Sequence, residues 1–125
     1  MALLHAATAR SLYRRLLRLY GAQGWWPADD RFEVVVGAVL TQNAAWTNVE
    51  YALGNLRAAG ALDPEAIRSL PDDTLGQLVR PSGYYNVKSR RLKAVCRFLD
   101  DAGGLDALEA LGTDELRRAW LSVHG

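Results

Sequence analysis

The sequence predicts an all-α protein, a helical bundle, on three observations. Leu (20) and Ala (19) make 39 of its 125 residues, whereas Ile occurs once, at Ile67, and Val nine times; straight-chain residues favour helices and β-branched residues do not. Apolar residues recur at helical rather than alternating spacing along most of the chain. Gly21, Gly24, Gly60, Pro71, Pro81, Gly83 and Gly103-Gly104 mark the breaks between these periodic runs. The length fits one domain. Half the residues are hydrophobic and 23% are charged, a balance that supports a packed core and argues against wholesale disorder. No internal repeat, low-complexity tract or long linker is visible.

The first element is a helix from about Thr8 to Tyr20. Leu12, Leu16 and Leu19 repeat at i, i+4, i+7, as do Tyr13, Leu17 and Tyr20, with Arg10, Arg14 and Arg18 on another face. Gly21 and Gly24 end it, and a loop carrying Trp25, Trp26, Pro27, Asp29 and Asp30 follows. Phe32 to Leu40 is almost continuously apolar; Val34-Val35-Val36 would suit a strand, but no neighbouring strand is available to pair with it, so a buried helix is expected. Trp46, Val49, Leu53 and Leu56 mark an amphipathic helix ending near Gly60. Asp63-Pro64 reads as an N-cap with proline in the first turn, opening a short helix to about Leu70. Pro71 stops it, and Asp72 or Asp73 is expected to cap another through Val79. Arg80-Pro81-Ser82-Gly83 is a turn. Asn86 is expected to cap a helix to about Asp101, with Leu92, Val95 and Leu99 inside and Arg90, Lys93 and Arg97 on another face. Gly103-Gly104 breaks it, Leu105, Leu108 and Leu111 share a short turn, and Thr113 is expected to cap a last helix with Leu116, Trp120 and Val123 as its apolar stripe.

Charge is informative by position. The net is +1, yet the 14 acids fall in two blocks, Asp29 to Asp73 and Asp100 to Glu115. Thr74 to Leu99 has no acid and carries Arg80, Lys88, Arg90, Arg91, Lys93 and Arg97; residues 1–28 have four arginines and no acid. Segregated bases are what a phosphate-facing patch needs, though a solvated helix face has the same composition. Arg outnumbers Lys 13 to 2, which reflects genomic base composition and carries no function. The one cysteine, Cys96, excludes an internal disulfide framework and lies between Val95 and Phe98 as a small core residue. The longest uncharged apolar run, Val34 to Val49, contains Thr41, Gln42, Asn43, Thr47 and Asn48 and is too polar for a membrane span. With no signal-peptide pattern, a cytoplasmic protein is expected, nucleoid-associated in a bacterium.

Five patterns then occur in order: Trp25-Trp26-Pro27; Phe32-Glu33-Val34-Val35-Val36-Gly37-Ala38-Val39-Leu40-Thr41-Gln42-Asn43; Trp46-Thr47-Asn48-Val49; Gly83-Tyr84-Tyr85-Asn86-Val87-Lys88; and Leu121-Ser122-Val123-His124-Gly125. In this combination the chain, from about Leu12 to Gly125, resembles the helix-hairpin-helix DNA glycosylases, the endonuclease III superfamily, and within it the branch that includes 3-methyladenine glycosylases. The resemblance implies two helical lobes with duplex DNA between them. Residues 1–28 would be the first helix and Trp-rich loop of one lobe, and residues 29–125 an incomplete six-helix lobe, the whole ending before the hairpin. It also implies base-excision repair, in which a damaged, here alkylated, base is flipped from the stack and its glycosidic bond hydrolysed. Gln42 matches the residue that fills the vacated space, and Tyr84 a wedge from the other side. A planar amide can bond an orphaned base edge, and an aromatic ring can stack. Asn43, Asn86, Lys88, Arg90 and Arg91 complete the expected DNA-binding set. Trp25, Trp26 and Pro27 are the expected base pocket, since indole faces attract a cationic purine.

Each has a plainer reading: Gln42 and Asn43 as helix ends, Tyr84 and Tyr85 as packing, the bases as solvated charge, the tryptophans as cover over a joint. Tyr84 is expected exposed and Tyr85 buried. In the family, a phosphate-binding Gly-x-Gly hairpin, in some branches a catalytic Lys, a catalytic Asp and often a four-cysteine iron–sulfur cluster lie after the position matched by Gly125. None is present in these residues. No catalytic or metal-binding residue and no cofactor is therefore assigned, and one cysteine cannot hold a cluster. Asp29/Asp30, Asp72/Asp73 and Asp100/Asp101 read as caps or solvated charge, and His5 and His124 make no triad. The sequence is thus expected to be an N-terminal fragment, a truncated product or one piece of a split enzyme, without glycosylase turnover of its own, and to self-associate through its last helix or be completed by a C-terminal half. A non-catalytic DNA-binding module or a protein-interaction domain is the alternative.

Overall fold

The computed structural model describes residues Ala6 to Gly125; His5 lies outside the described residues. Among them the secondary structure is helical throughout: α1 (Ala6–Tyr20), α2 (Arg31–Leu40), α3 (Trp46–Ala58), α4 (Pro64–Ser69), α5 (Asp72–Val79), a 3-10 turn (Arg80–Ser82), α6 (Tyr85–Asp101), α7 (Leu105–Glu109) and α8 (Thr113–Leu121). Residues 29–125 carry the seven α-helices α2–α8, of which α4 and α7 are short.

Helix α6 is the centre of the bundle. It packs on α5, α4 and α2, while α3 packs on α5, α2 and the 3-10 turn. The core runs through Val36 and Leu40 of α2, Val49, Leu53 and Leu56 of α3, Ile67 of α4, Leu75 and Val79 of α5, and Leu92, Val95, Cys96 and Leu99 of α6. Phe32 to Leu40 is a helix, as expected: Val36 and Leu40 are buried four residues apart while Val34 is exposed. At its start Asp30 accepts from the Glu33 amide at 2.8 Å, and Glu33 accepts from the Asp29 amide at 2.9 Å. This reciprocal capping box fixes where the Trp-rich loop enters the helix.

Three caps differ from expectation. Asp63 caps α4 through the Ala66 amide at 3.0 Å, as the sequence indicates. But α5 begins at Asp72 with Pro71 as its N-cap, so neither aspartate caps it; Asp72 instead pairs with Lys93 at 2.6 Å. Helix α6 begins at Tyr85, with Tyr84 as N-cap in left-handed backbone, and Asn86 is already inside it. Gly112, not Thr113, precedes α8. In each case the last residue of the preceding turn takes the N-cap position and makes no side-chain cap bond.

The apolar stripe of α1 does not enter the core. Leu12, Tyr13, Leu16, Leu17, Leu19 and Tyr20 are all exposed, Tyr20 at 71%. Helix α8 also buries no residue fully; it rests on the bundle through Trp120, whose ring lies 5.3 Å from Phe98, and Val123 is half-buried beside it. Arg31 links the start of α2 to α7 through Asp106 at 2.7 Å and Glu109 at 2.8 Å. All three side chains are exposed, so these links position more than they stabilise.

Candidate nucleic-acid interface

Two short connections converge on one lysine. The first follows α2 and holds Thr41, Gln42 and Asn43; the second is the 3-10 turn and Gly83-Tyr84 before α6. Lys88, in the first turn of α6, is 1% exposed. Its Nζ donates to the Leu40 carbonyl at 2.8 Å and to the Ser82 carbonyl at 2.6 Å. Leu40 closes α2, so its carbonyl has no partner within the helix and lies at the negative end of the helix dipole. An ammonium is well matched to that position. Burial lowers the Lys88 pKa, and the nearby Arg91 charge lowers it further. Lys88, a member of the expected DNA-binding set, thus has its ammonium turned into the protein as a pin between two loops rather than presented at the surface.

The pin has a consequence for the wedge candidates. Gln42 lies two residues past one bound carbonyl and Tyr84 two residues past the other. Both side chains are exposed, Tyr84 at 66%. Tyr85 is half-buried against the core, short of the full burial expected, with the Arg80 guanidinium 5.6 Å from its ring centre. Tyr84 (φ 45°) and Asn43 (φ 54°) are the non-glycine residues with left-handed backbone among those described. Such backbone is uncommon for an aromatic residue and costs of the order of 1 kcal/mol, and observed strain of this kind concentrates at functional sites. Gly83, at φ 71°, provides the preceding reversal.

Arg91 approaches from α6. Its Nη1 donates to Gln42 Oε1 at 2.8 Å, while its Nε is buried without a partner. The Arg91 stem is covered by Gly125, where an added Cβ would come within 2.7 Å of it. Arg90, Asn86 and Arg97 are exposed. Lys93 is turned inward, donating to the Leu70 carbonyl at 2.5 Å as well as pairing with Asp72. The basic run of α6 is therefore an arginine surface, with its lysines used as internal links.

The three residues of the Trp-rich loop separate. Trp26 covers Gly37 of α2, where a Cβ would sit 3.4 Å from the indole, and meets Trp46 edge-on with ring centres 5.6 Å apart. Trp25 is 74% exposed, its ring 5.2 Å from that of Trp26. Pro27 lines a groove of about 660 Å³ with Asp29, Glu33, Trp46, Glu50 and Arg57. Within these residues the loop thus offers one open indole, Trp25, supported by a packed one.

Glu33, the buried acid, accepts from Arg57 at 2.5 Å and from the Asp29 amide. No group of three or more His, Cys, Asp or Glu among the described residues has metal-binding geometry. Cys96 is buried, which pushes its thiol up to about 11. It supplies one of the four thiolates an iron–sulfur cluster needs, so the residues present do not fit such a cluster. No helix among the described residues is long and apolar enough to cross a membrane.

Known proteins are similar to this chain in sequence and in fold. Residues 36–122 match the family of HhH-GPD superfamily base excision DNA repair proteins, and the chain belongs to that family. A protein of Methanocaldococcus jannaschii named, provisionally, as a DNA repair glycosylase is 44% identical over 117 residues, covering 91% of this chain and 53% of that protein. The Arabidopsis thaliana chloroplastic endonuclease III homolog 1 is 31% identical over 104 residues, covering 78% of this chain and 27% of that protein. The crystal structure of H. pylori 3-methyladenine DNA glycosylase bound to 1,N6-ethenoadenine superimposes with a TM-score of 0.68 at 28% identity, covering 93% of this chain and 57% of the other. The chain thus spans about half the length of the longest-matching relative, and less of the plant protein.

Proposed function

We propose that this chain supplies the duplex-opening part of a base-excision DNA glycosylase: it binds double-stranded DNA and levers a damaged base out of the stack with Gln42 and Tyr84. The observation that carries this is the Lys88 pin, which ties the two loops bearing these exposed side chains to one buried nitrogen. Unstacking costs a few kcal/mol, and side chains that fill the vacated space recover part of it only if they are held in place beforehand. Arg90, Arg91 and Arg97 on α6 and the arginines of α1 supply phosphate contacts, Asn43 and Asn86 lie beside the wedges, and Trp25 supplies a face on which an alkylated purine stacks, with Trp26 and Pro27 shaping its surroundings.

The test is equilibrium binding at several salt concentrations. The expected result is salt-dependent affinity for duplex DNA, tighter for a duplex with an abasic-site analogue, with that preference lost on Gln42→Ala. Binding that ignores both salt and the abasic site contradicts the proposal. Base release from alkylated DNA is expected to be absent, because none of the described carboxylates is assigned to glycosidic cleavage.

A second association surface is favoured by a separate observation. Val35, Val39, Trp120 and Val123 line an apolar groove of about 330 Å³ between α2 and α8, next to the exposed Val34. We propose that the chain self-associates there. Sedimentation at rising concentration is expected to show dimers that Trp120→Arg abolishes; a monomer throughout contradicts it.

A further inference from the structure

We infer that Arg91 fixes the polarity of the Gln42 carboxamide, so that the wedge offers only hydrogen-bond donors to the base it orphans and favours a pyrimidine there; the damaged base it fits is then a purine. This rests on the reading of Gln42 as a wedge. A guanidinium has five N–H donors and no acceptor. With Arg91 Nη1 2.8 Å from the amide, Oε1 must face the arginine and the Nε2 group must face outward. A glutamine alone at an exposed loop would turn its amide either way and read donors and acceptors equally. Arg91 is itself held: its stem lies beneath Gly125, and no carboxylate among the described residues pairs with it.

The Watson–Crick edges of the bases differ in what they return to such a probe. Cytosine presents N3 and O2 as acceptors beside the N4 amino donor, and thymine O4 and O2 as acceptors on either side of the N3–H donor. Adenine presents N1 alone beside the N6 amino group, and guanine O6 alone beside two donor groups. A donor-only surface therefore meets two acceptors and one donor on a pyrimidine, but one acceptor with one or two donors on a purine. A pyrimidine left behind in one strand means a purine removed from the other.

The experiment measures affinity for four duplexes that differ only in the base opposite one abasic-site analogue, for the native chain and for Arg91→Met and Arg91→Glu. The ratio of pyrimidine to purine affinity is the readout, because a lost positive charge weakens all four duplexes together. The native chain is expected to bind about fivefold more tightly opposite pyrimidines, the lower end of what one matched base contact is worth. Arg91→Met should bring the ratio close to one. Arg91→Glu should invert it, since a carboxylate accepts from the amide N–H and turns Oε1 outward. A native preference for abasic over intact duplex with a ratio unmoved by either variant overturns this inference and leaves the wedge reading standing. A native chain blind to the abasic site overturns both. In the free protein, the Gln42 side-chain amide resonances should shift on Arg91→Met; unchanged resonances in a variant with native circular dichroism also overturn the inference.

Discussion

Lys88 shows how one residue can set a site without touching its ligand. Its ammonium is buried against two carbonyls that would otherwise lack partners, so Lys88→Met, similar in volume, is expected to destabilise the chain by about 2 kcal/mol, two lost charged hydrogen bonds offset by the removed desolvation of the ammonium. The pH dependence has a definite sign. The Lys88 pKa is lowered on folding, by burial first and by Arg91 second. Between its folded value and the ordinary 10.5, the unfolded chain holds a proton that the folded chain has released, so the folded state gains as pH rises through that window. Urea midpoints of the native chain and Lys88→Met should therefore diverge further as pH approaches 10.5; a gap that narrows contradicts the burial of the charge. Cys96 provides a second residue-scale check. With its thiol raised to about 11 and buried, a thiol reagent at about pH 8 should label the folded chain far more slowly than the urea-unfolded chain.

At the scale of elements, the helix boundaries were largely legible and the caps were not. Spacing located the helices that became α3 and α6, since their core faces are the apolar stripes themselves, whereas α2 is expected as a helix because no strand is available to pair with it. Caps depend on the backbone of the preceding turn, which side-chain identity specifies weakly: Pro71 and Tyr84 took the positions assigned to Asp72 or Asp73 and to Asn86. Asp63 and Asp72 therefore separate in consequence. Asp63→Ala removes a cap bond and is expected to cost about 1 kcal/mol, whereas Asp72→Ala removes an exposed partner of Lys93 and should shift the thermal midpoint less. Equal shifts would contradict the assignment. The inward turn of Lys88 had a sequence signal, because it precedes Leu92, Val95 and Leu99 by four, seven and eleven residues and so lies on the inner stripe of α6. The contact of Arg91 with Gln42 had none, since it joins residues 49 apart.

For the whole molecule, the sequence resemblance and the packing agree on the family, and the bundle α2–α6 accounts for why the loops that carry Gln42 and Tyr84 meet at Lys88. The exposed stripe of α1 is apolar surface that the described residues leave uncovered; periodicity reports that a face is apolar and not what covers it. The separation of Trp25, Trp26 and Pro27 is likewise a property of the packing, because Gly37 admits an indole and spacing along the chain does not reveal that. The most direct measurement of the central claim is the fluorescence of 2-aminopurine at a mispaired position in a duplex, followed as the chain is added. The account predicts a rise, as the base leaves the stack, that is lost in the Gln42→Ala, Tyr84→Ala double variant while binding persists. A native chain that binds this duplex and leaves the fluorescence unchanged would contradict it.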